Sequence, residues 1–158
     1  MCFCVVYLAQ EIVLSDGDAK NVENISKSLE LNVWETKNLS VVILKWGQLN
    51  KLDSYLESKF DIIIASDIIY NSSNTHLLLI DTISKLLQPG GKFFLFNPPR
   101  LNKLTEFLSL AQESQKFSKI SMCEDYDNDV TTLARKILEE NPLYEPEIHL
   151  PFLYIFVK

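Results

Sequence analysis

No apolar run in these 158 residues approaches the ~20 positions that a membrane-spanning helix needs, so membrane insertion is not expected. The opening stretch Met1 to Ala9 is apolar, but it has no basic region and runs straight into the fold pattern, unlike a signal peptide. A basic tract is also missing. Lys and Arg total 15 against 21 Asp and Glu, a net charge of −6, which leans away from nucleic acid as a partner. Cysteine is scarce, with only Cys2, Cys4 and Cys123. Cys-x-Cys is tighter than the usual zinc spacing and has no His/Cys pair nearby, so the thiols read as idle in a reducing cytosol. A cytoplasmic protein is expected, with the nucleus as a second compartment. His76 and His149 lie far apart, and no metal site is expected. Repeats, low-complexity stretches and linkers are absent too, so residues 1–158 read as a single domain; a monomer is the expectation, though nothing in the sequence fixes the oligomeric state.

What is present is an alternation of elements in a chain that is 47% hydrophobic, enough for a real core. Ile12-Val13-Leu14 reads as a strand closing on the Asp16-Gly17-Asp18 turn. Ala19, Val22, Ile25 and Leu29 recur at helical spacing, and Asp18 is placed to cap that helix. Val41 to Leu44 is a second strand, ending at Trp46-Gly47. Phe60 to Ala65 is a third, apolar on both faces as in a buried parallel sheet. A helix through Leu77, Ile80, Ile83, Leu86 and Leu87 should stop at Pro89-Gly90-Gly91, before a strand at Phe93 to Phe96. Helices near 101–115 and 129–140 follow, with strands at Ile120 to Cys123 and Phe152 to Val157. The pattern predicts an α/β domain with a mostly parallel sheet and an antiparallel finish.

In such sheets ligands bind just past the C-terminal ends of the strands. Asp16 stands there, able to accept ribose hydroxyls or simply to shape a turn. Trp46 offers a flat apolar face to an adenine ring, or a core side chain. Asp67 and Tyr70, in Ala65-Ser66-Asp67-Ile68-Ile69-Tyr70-Asn71, follow the third strand. A carboxylate there is costly to bury without a role, although helix capping is the plain alternative. Asn97-Pro98-Pro99 evokes a base-methylating motif, but it comes one strand too late and no aromatic follows, so it reads as loop.

Taken in order, strand-Asp16, strand-x-Trp46-Gly47, Phe60-Asp61 through Asp67-x-x-Tyr70, and Leu87-Gln-Pro-Gly-Gly-Lys92 resemble the seven-stranded, class I protein-lysine methyltransferases with an Asp-x-x-Tyr motif. The resemblance covers nearly the whole chain. It implies a Rossmann-like sheet with an antiparallel C-terminal strand, S-adenosylmethionine as cofactor and a protein lysine as acceptor. It also implies that Asp16 binds the ribose, Trp46 borders the adenine, and the backbone of Ser66 approaches the cofactor. Asp67 and Tyr70 then act catalytically at the acceptor lysine. The stretch Glu140-Asn141-Pro142-Leu143-Tyr144-Glu145, with His149-Leu150-Pro151 beyond it, is similar to the calmodulin-lysine branch, which implies calmodulin as the protein partner.

One part of the family pattern is missing. Its Gly-rich cofactor loop and first, central strand should precede Met1, so the chain reads as truncated before that loop and of little activity by itself. A fragment or incomplete gene model is the expectation, with a short isoform or a degenerate protein as alternatives. Phe3 to Leu8 could instead fill the gap as a strand. Two rival functions are a noncatalytic protein-binding module and a Rossmann-type nicotinamide-dependent oxidoreductase. The latter leaves Trp46-Gly47 and Asp67-x-x-Tyr70 unexplained.

Overall fold

The computed structural model describes residues 9–32, 38–48, 56–70, 72–123 and 126–158. Cys2, Cys4 and the proposed strand at Phe3 to Leu8 lie outside them. Residues 9–48 belong to one compact unit and 56–158 to another.

In the smaller unit, strand β1 (Ile12–Asp16) and strand β2 (Leu39–Ile43) pair in parallel, joined through helix α1 (Ala19–Leu31). Asp18 caps α1 as its position predicts, accepting the Lys20 N–H at 2.7 Å. The periodic apolar face of α1 turns Ile25 inward, where it is buried. Past the paired residues, the Leu44 N–H donates to the Asp16 carbonyl at 2.9 Å.

The larger unit runs β3 (Phe60–Ser66), α2 (Ser73–Leu86), β4 (Leu87–Asn97), α3 (Lys103–Glu113), β5 (Lys119–Cys123), α4 (Asn128–Glu140), α5 (Pro146–His149) and β6 (Phe152–Val157). Its sheet has the order β3-β4-β6-β5. β3 and β4 are parallel, and β6 is antiparallel to both β4 and β5, so the antiparallel finish is observed. One face of the sheet is covered at its centre. Phe93, Leu95 and Phe156 are buried there with Phe107 and Ala111 of α3 and Leu79, Ile80 and Ile83 of α2. Phe156 is the hub, with ring centroids 5.2 Å from Phe93, 5.9 Å from Phe107 and 5.2 Å from Phe117. Emptying such a site costs about 3–5 kcal/mol.

Two strand expectations need correction. β3 is not buried on both faces: among the described residues it is an edge strand, and Ile62 and Ile64 on its second face are 55% and 41% exposed. Pro89-Gly90-Gly91 does not separate helix from strand. α2 passes directly into β4, and the tripeptide forms a bulge, with Phe60 opposite Leu87 but Ile62 opposite Lys92. Gly90 has a φ of +78°, and a Cβ on Gly91 would lie 2.9 Å from the carbonyl oxygens of Gln88 and Phe60. Both glycines are therefore required by shape. Lys158 closes the bulge, accepting the Gly90 N–H and donating its own N–H to Gly91, each at 3.0 Å.

Candidate functional site

Parallel pairing of β3 with β4 carries Ser66 and Asn97 to the same end of the sheet, and the chain turns there twice. The first turn begins at Asp67, a non-glycine residue with a φ of +53°. It is held by three interactions from the end of β4 and the loop beyond. The Asp67 N–H donates to the Phe96 carbonyl at 2.8 Å. Asn97 is fully buried, and its Oδ1 accepts the Ile69 N–H at 3.0 Å while its Nδ2 donates to the Pro98 carbonyl at 2.8 Å. Arg100 then grips the Asp67 carboxylate with both prongs, Nε to Oδ1 at 2.8 Å and Nη2 to Oδ2 at 2.5 Å. This pairing raises the Arg100 pKa above its ordinary value, chiefly through the hydrogen bonds to Asp67. Ile69 is buried and anchors the segment, whereas Tyr70 is 59% exposed. Ser66 is half-buried as the last residue of β3.

The second turn presents the guanidinium. Pro98-Pro99 keeps the chain out of the sheet ladder beyond Asn97. Arg100 and Leu101 then take φ values of 48° and 60°. Two successive left-handed residues without glycine cost about 1–2 kcal/mol each. The conformation is held from outside: the Arg100 N–H donates to the Glu147 carbonyl at 2.9 Å, and the Lys103 N–H donates to the Arg100 carbonyl at 3.2 Å. Glu147 lies in α5, next to His149, whose Nδ1 accepts the Glu145 N–H and whose ring stacks on Tyr144. The C-terminal segment is thus tied to the loop that aims Arg100.

In the smaller unit Asp16 ends β1 half-buried. Its Oδ1 accepts the Asp18 N–H at 2.8 Å and the Asn21 amide at 3.3 Å, so it does shape the turn. Trp46 is half-buried in the turn after β2, where Gly47 has a φ of +78°. A carboxylate at the end of β1 and a half-buried indole in the turn after β2 are groups that could hold the ribose and base of a nucleoside.

Asp67 does not cap α2, because the N-cap is Ser72. Asn97, taken for loop in the sequence, is the buried last residue of β4, and its side chain pins the Asp67–Tyr70 segment. Arg100 belongs to the Asn97-Pro98-Pro99-Arg100 stretch that the sequence places past a strand end, but it is given no role there. The only hint in the sequence is a basic residue closing Asn-Pro-Pro-Arg at a strand end. Among the described residues no group of three or more His, Cys, Asp or Glu could hold a metal ion.

Solved structures define the class. A Streptococcus mutans protein crystallised with SAH superposes with a TM-score of 0.61 at 18% identity, covering 96% of this chain and 78% of that one. The tRNA (m1A58) methyltransferase of Aquifex aeolicus gives 0.61 at 15% identity, over 96% of this chain and 55% of its own. An S-adenosylmethionine-dependent O-methyltransferase of Thermotoga maritima gives 0.60 at 15%, over 94% and 49%. The fold is that of the class I, Rossmann-like methyltransferases. The chain itself belongs to the lysine methyltransferase family, which it matches over residues 1–114. It is 35% identical over 104 residues to the calmodulin-lysine N-methyltransferase of Arabidopsis thaliana, a match covering 63% of this chain and 33% of that protein's length. S-adenosylmethionine is the cofactor of this family and fold.

Proposed function

We infer that this chain is part of an S-adenosylmethionine-dependent protein-lysine N-methyltransferase whose substrate is calmodulin. The observation that carries this is a carboxylate just past the C-terminal end of β3, paired with a cation on a segment pinned by a buried contact, with an exposed tyrosine three residues further on. A lysine head group is the same kind of cation, and an aromatic face beside it adds attraction.

Asp16 would hold the cofactor's ribose and Trp46 would border its base, with the backbone of Ser66 approaching it. S-adenosylmethionine supplies an electrophilic methyl group on a sulfonium. Asp67 would hold the acceptor nitrogen and Tyr70 would flank it. A free lysine has an ordinary pKa near 10.4, so the amine must shed a proton to bulk water before its lone pair is available. Bound there, the cofactor would give up its methyl to the amine's lone pair and leave as a neutral thioether. Such a displacement depends on alignment more than on a strong base, so Asp67 acts chiefly by orienting the amine. Support for calmodulin comes from the Arabidopsis relative and from the similar Tyr144 to Pro151 stretch. A cytoplasmic and nuclear location suits such a partner.

The test is transfer of labelled methyl from S-adenosylmethionine to calmodulin, with the modified residue located by mass spectrometry. Label on lysine is expected from the protein that contains this chain. Cofactor binding with no label on any protein lysine would refute the assignment.

A further inference from the structure

We propose that Arg100 is a specificity-determining residue that occupies the cation position of Asp67, so that an acceptor lysine must displace its guanidinium before it can be held. This rests on the proposed lysine acceptor, and it adds a resident competitor to that site.

Three observations lead to it. The contact is two-pronged, the arrangement in which a guanidinium matches a carboxylate best, and both oxygens of Asp67 are used. A second cation therefore cannot bind Asp67 in full while Arg100 stays. Next, the pair is accessible: the side chains of Arg100 and Asp67 are 34% and 46% exposed, and Tyr70, three residues after Asp67, is 59% exposed. An exposed pair of this kind exchanges readily, because water screens it and solvates each partner once apart. Finally, both residues sit in left-handed turns that their own side chains disfavour, with φ values of 53° and 48°. The Phe96 and Glu147 carbonyls hold those two turns by their N–H groups, so the backbone stays in place whether or not the side chains touch. Strain maintained in this way at a strand end suits a placed functional group better than an incidental surface pair.

The consequence is selective. A neutral side chain has no means of separating Arg100 from Asp67, whereas an ammonium replaces one cation by another. Apparent affinity falls by the fraction of time that Arg100 holds the carboxylate. Any contact that draws Arg100 away, such as an acidic group on the substrate near its lysine, would favour that substrate over others.

The experiment uses the whole chain and the capped tripeptide Gly-Lys-Gly, with a norleucine analogue as its neutral counterpart. The Nε–H signal of Arg100, identified by its loss in Arg100→Met, is followed by nuclear magnetic resonance. The lysine peptide should move it saturably and the norleucine peptide should leave it in place. Affinity for the lysine peptide should rise about fivefold in Arg100→Met, with Arg100→Lys in between, the scale of a well-aligned exposed ion pair. Asp67→Asn should abolish binding in every background. Equal or weaker binding by Arg100→Met overturns the proposal, as does undiminished binding by Asp67→Asn. In methyl transfer to calmodulin, Arg100→Met should lower KM about fivefold. Transfer with an unaltered KM removes the competitor role alone. Peptide competition without transfer to any protein lysine removes the methyltransferase assignment, and the role of Arg100 with it.

Discussion

Asp16 and Asp67 occupy equivalent places, each at or just past the end of a parallel strand, yet they are held in opposite ways. Asp16 is satisfied from within its own turn, by residues two and five positions further on. Asp67 is satisfied from 33 residues away, by Arg100, on a segment that Asn97 pins across the sheet. A carboxylate held locally keeps its geometry as long as the turn exists. One held from a distance depends on the packing of the whole sheet and can be released when its partner moves. That contrast suits a ribose ligand at Asp16, which needs constancy, and an acceptor ligand at Asp67, which needs exchange.

The largest expected effect comes from cutting the remote support. Asn97→Ala removes a fully buried acceptor and leaves the Ile69 N–H without a partner, and chemical denaturation should show a loss of about 3 kcal/mol. A loss below about 0.5 kcal/mol would mean that the Asp67 segment is not anchored through β4. Next is Asp16→Ala, which should weaken S-adenosylmethionine binding by ~1.5–3 kcal/mol in calorimetry, the scale of lost charge-assisted bonds. Asp16→Asn sharpens this, since it keeps an oxygen for the Asp18 N–H while removing the charge. Much weaker binding by the Asn variant would separate ligand charge from turn shape. Asp67→Ala should lower methyl transfer by about tenfold with cofactor affinity nearly unchanged, an orientation effect of ~1.4 kcal/mol. Equal rises in cofactor dissociation constant for the Asp16 and Asp67 variants would erase the division of roles.

The smallest effect concerns pH. His76, on the helix that follows Tyr70, is buried with neither ring nitrogen bonded, edge-on to Phe107, and burial pushes its pKa below the ordinary 6.5. The unfolded chain takes up a proton below about pH 6.5, whereas the folded protein does so only at lower pH. Stability should therefore decline as pH falls from about 6.5 toward the folded value, with no contribution above it. His76→Phe should flatten that slope in urea midpoints taken at several pH values, while the methyl-transfer effect of Asp67→Ala persists.

The contrast between the two carboxylates also explains what could be read from the chain. The Asp18 cap, the Asp-Gly turn, the spacing of Val22 and Ile25 and the antiparallel finish are short-range or periodic signals, and the structure reproduces them. Asp67 and Tyr70 stood out because they follow an apolar strand. What the sequence did not show was pairing across distance. Asn97 looked like loop because its value lies in an amide 28 positions earlier. Arg100 showed only as a basic residue closing Asn-Pro-Pro-Arg past a strand end, and its partner lies 33 positions away. Pro89-Gly90-Gly91 looked like a stop because a bulge shows only when the partner strand is known. The burial of β3 was overestimated because apolar composition does not say which strand ends up at an edge.

The place of β6 has a consequence for synthesis. It is made after both β4 and β5, yet it lies between them and pairs with each. While a ribosome is still adding residues 124–151, β5 has no ladder partner, and Phe93 and Phe107 lack the ring of Phe156 that joins them. Chain elongation at ~5–20 residues per second makes this an interval of seconds. For that time the nascent chain presents an unpaired apolar strand edge, the kind of surface chaperones bind and other chains stick to. Slow codons between 124 and 151 would lengthen the exposure, and fast ones would shorten it.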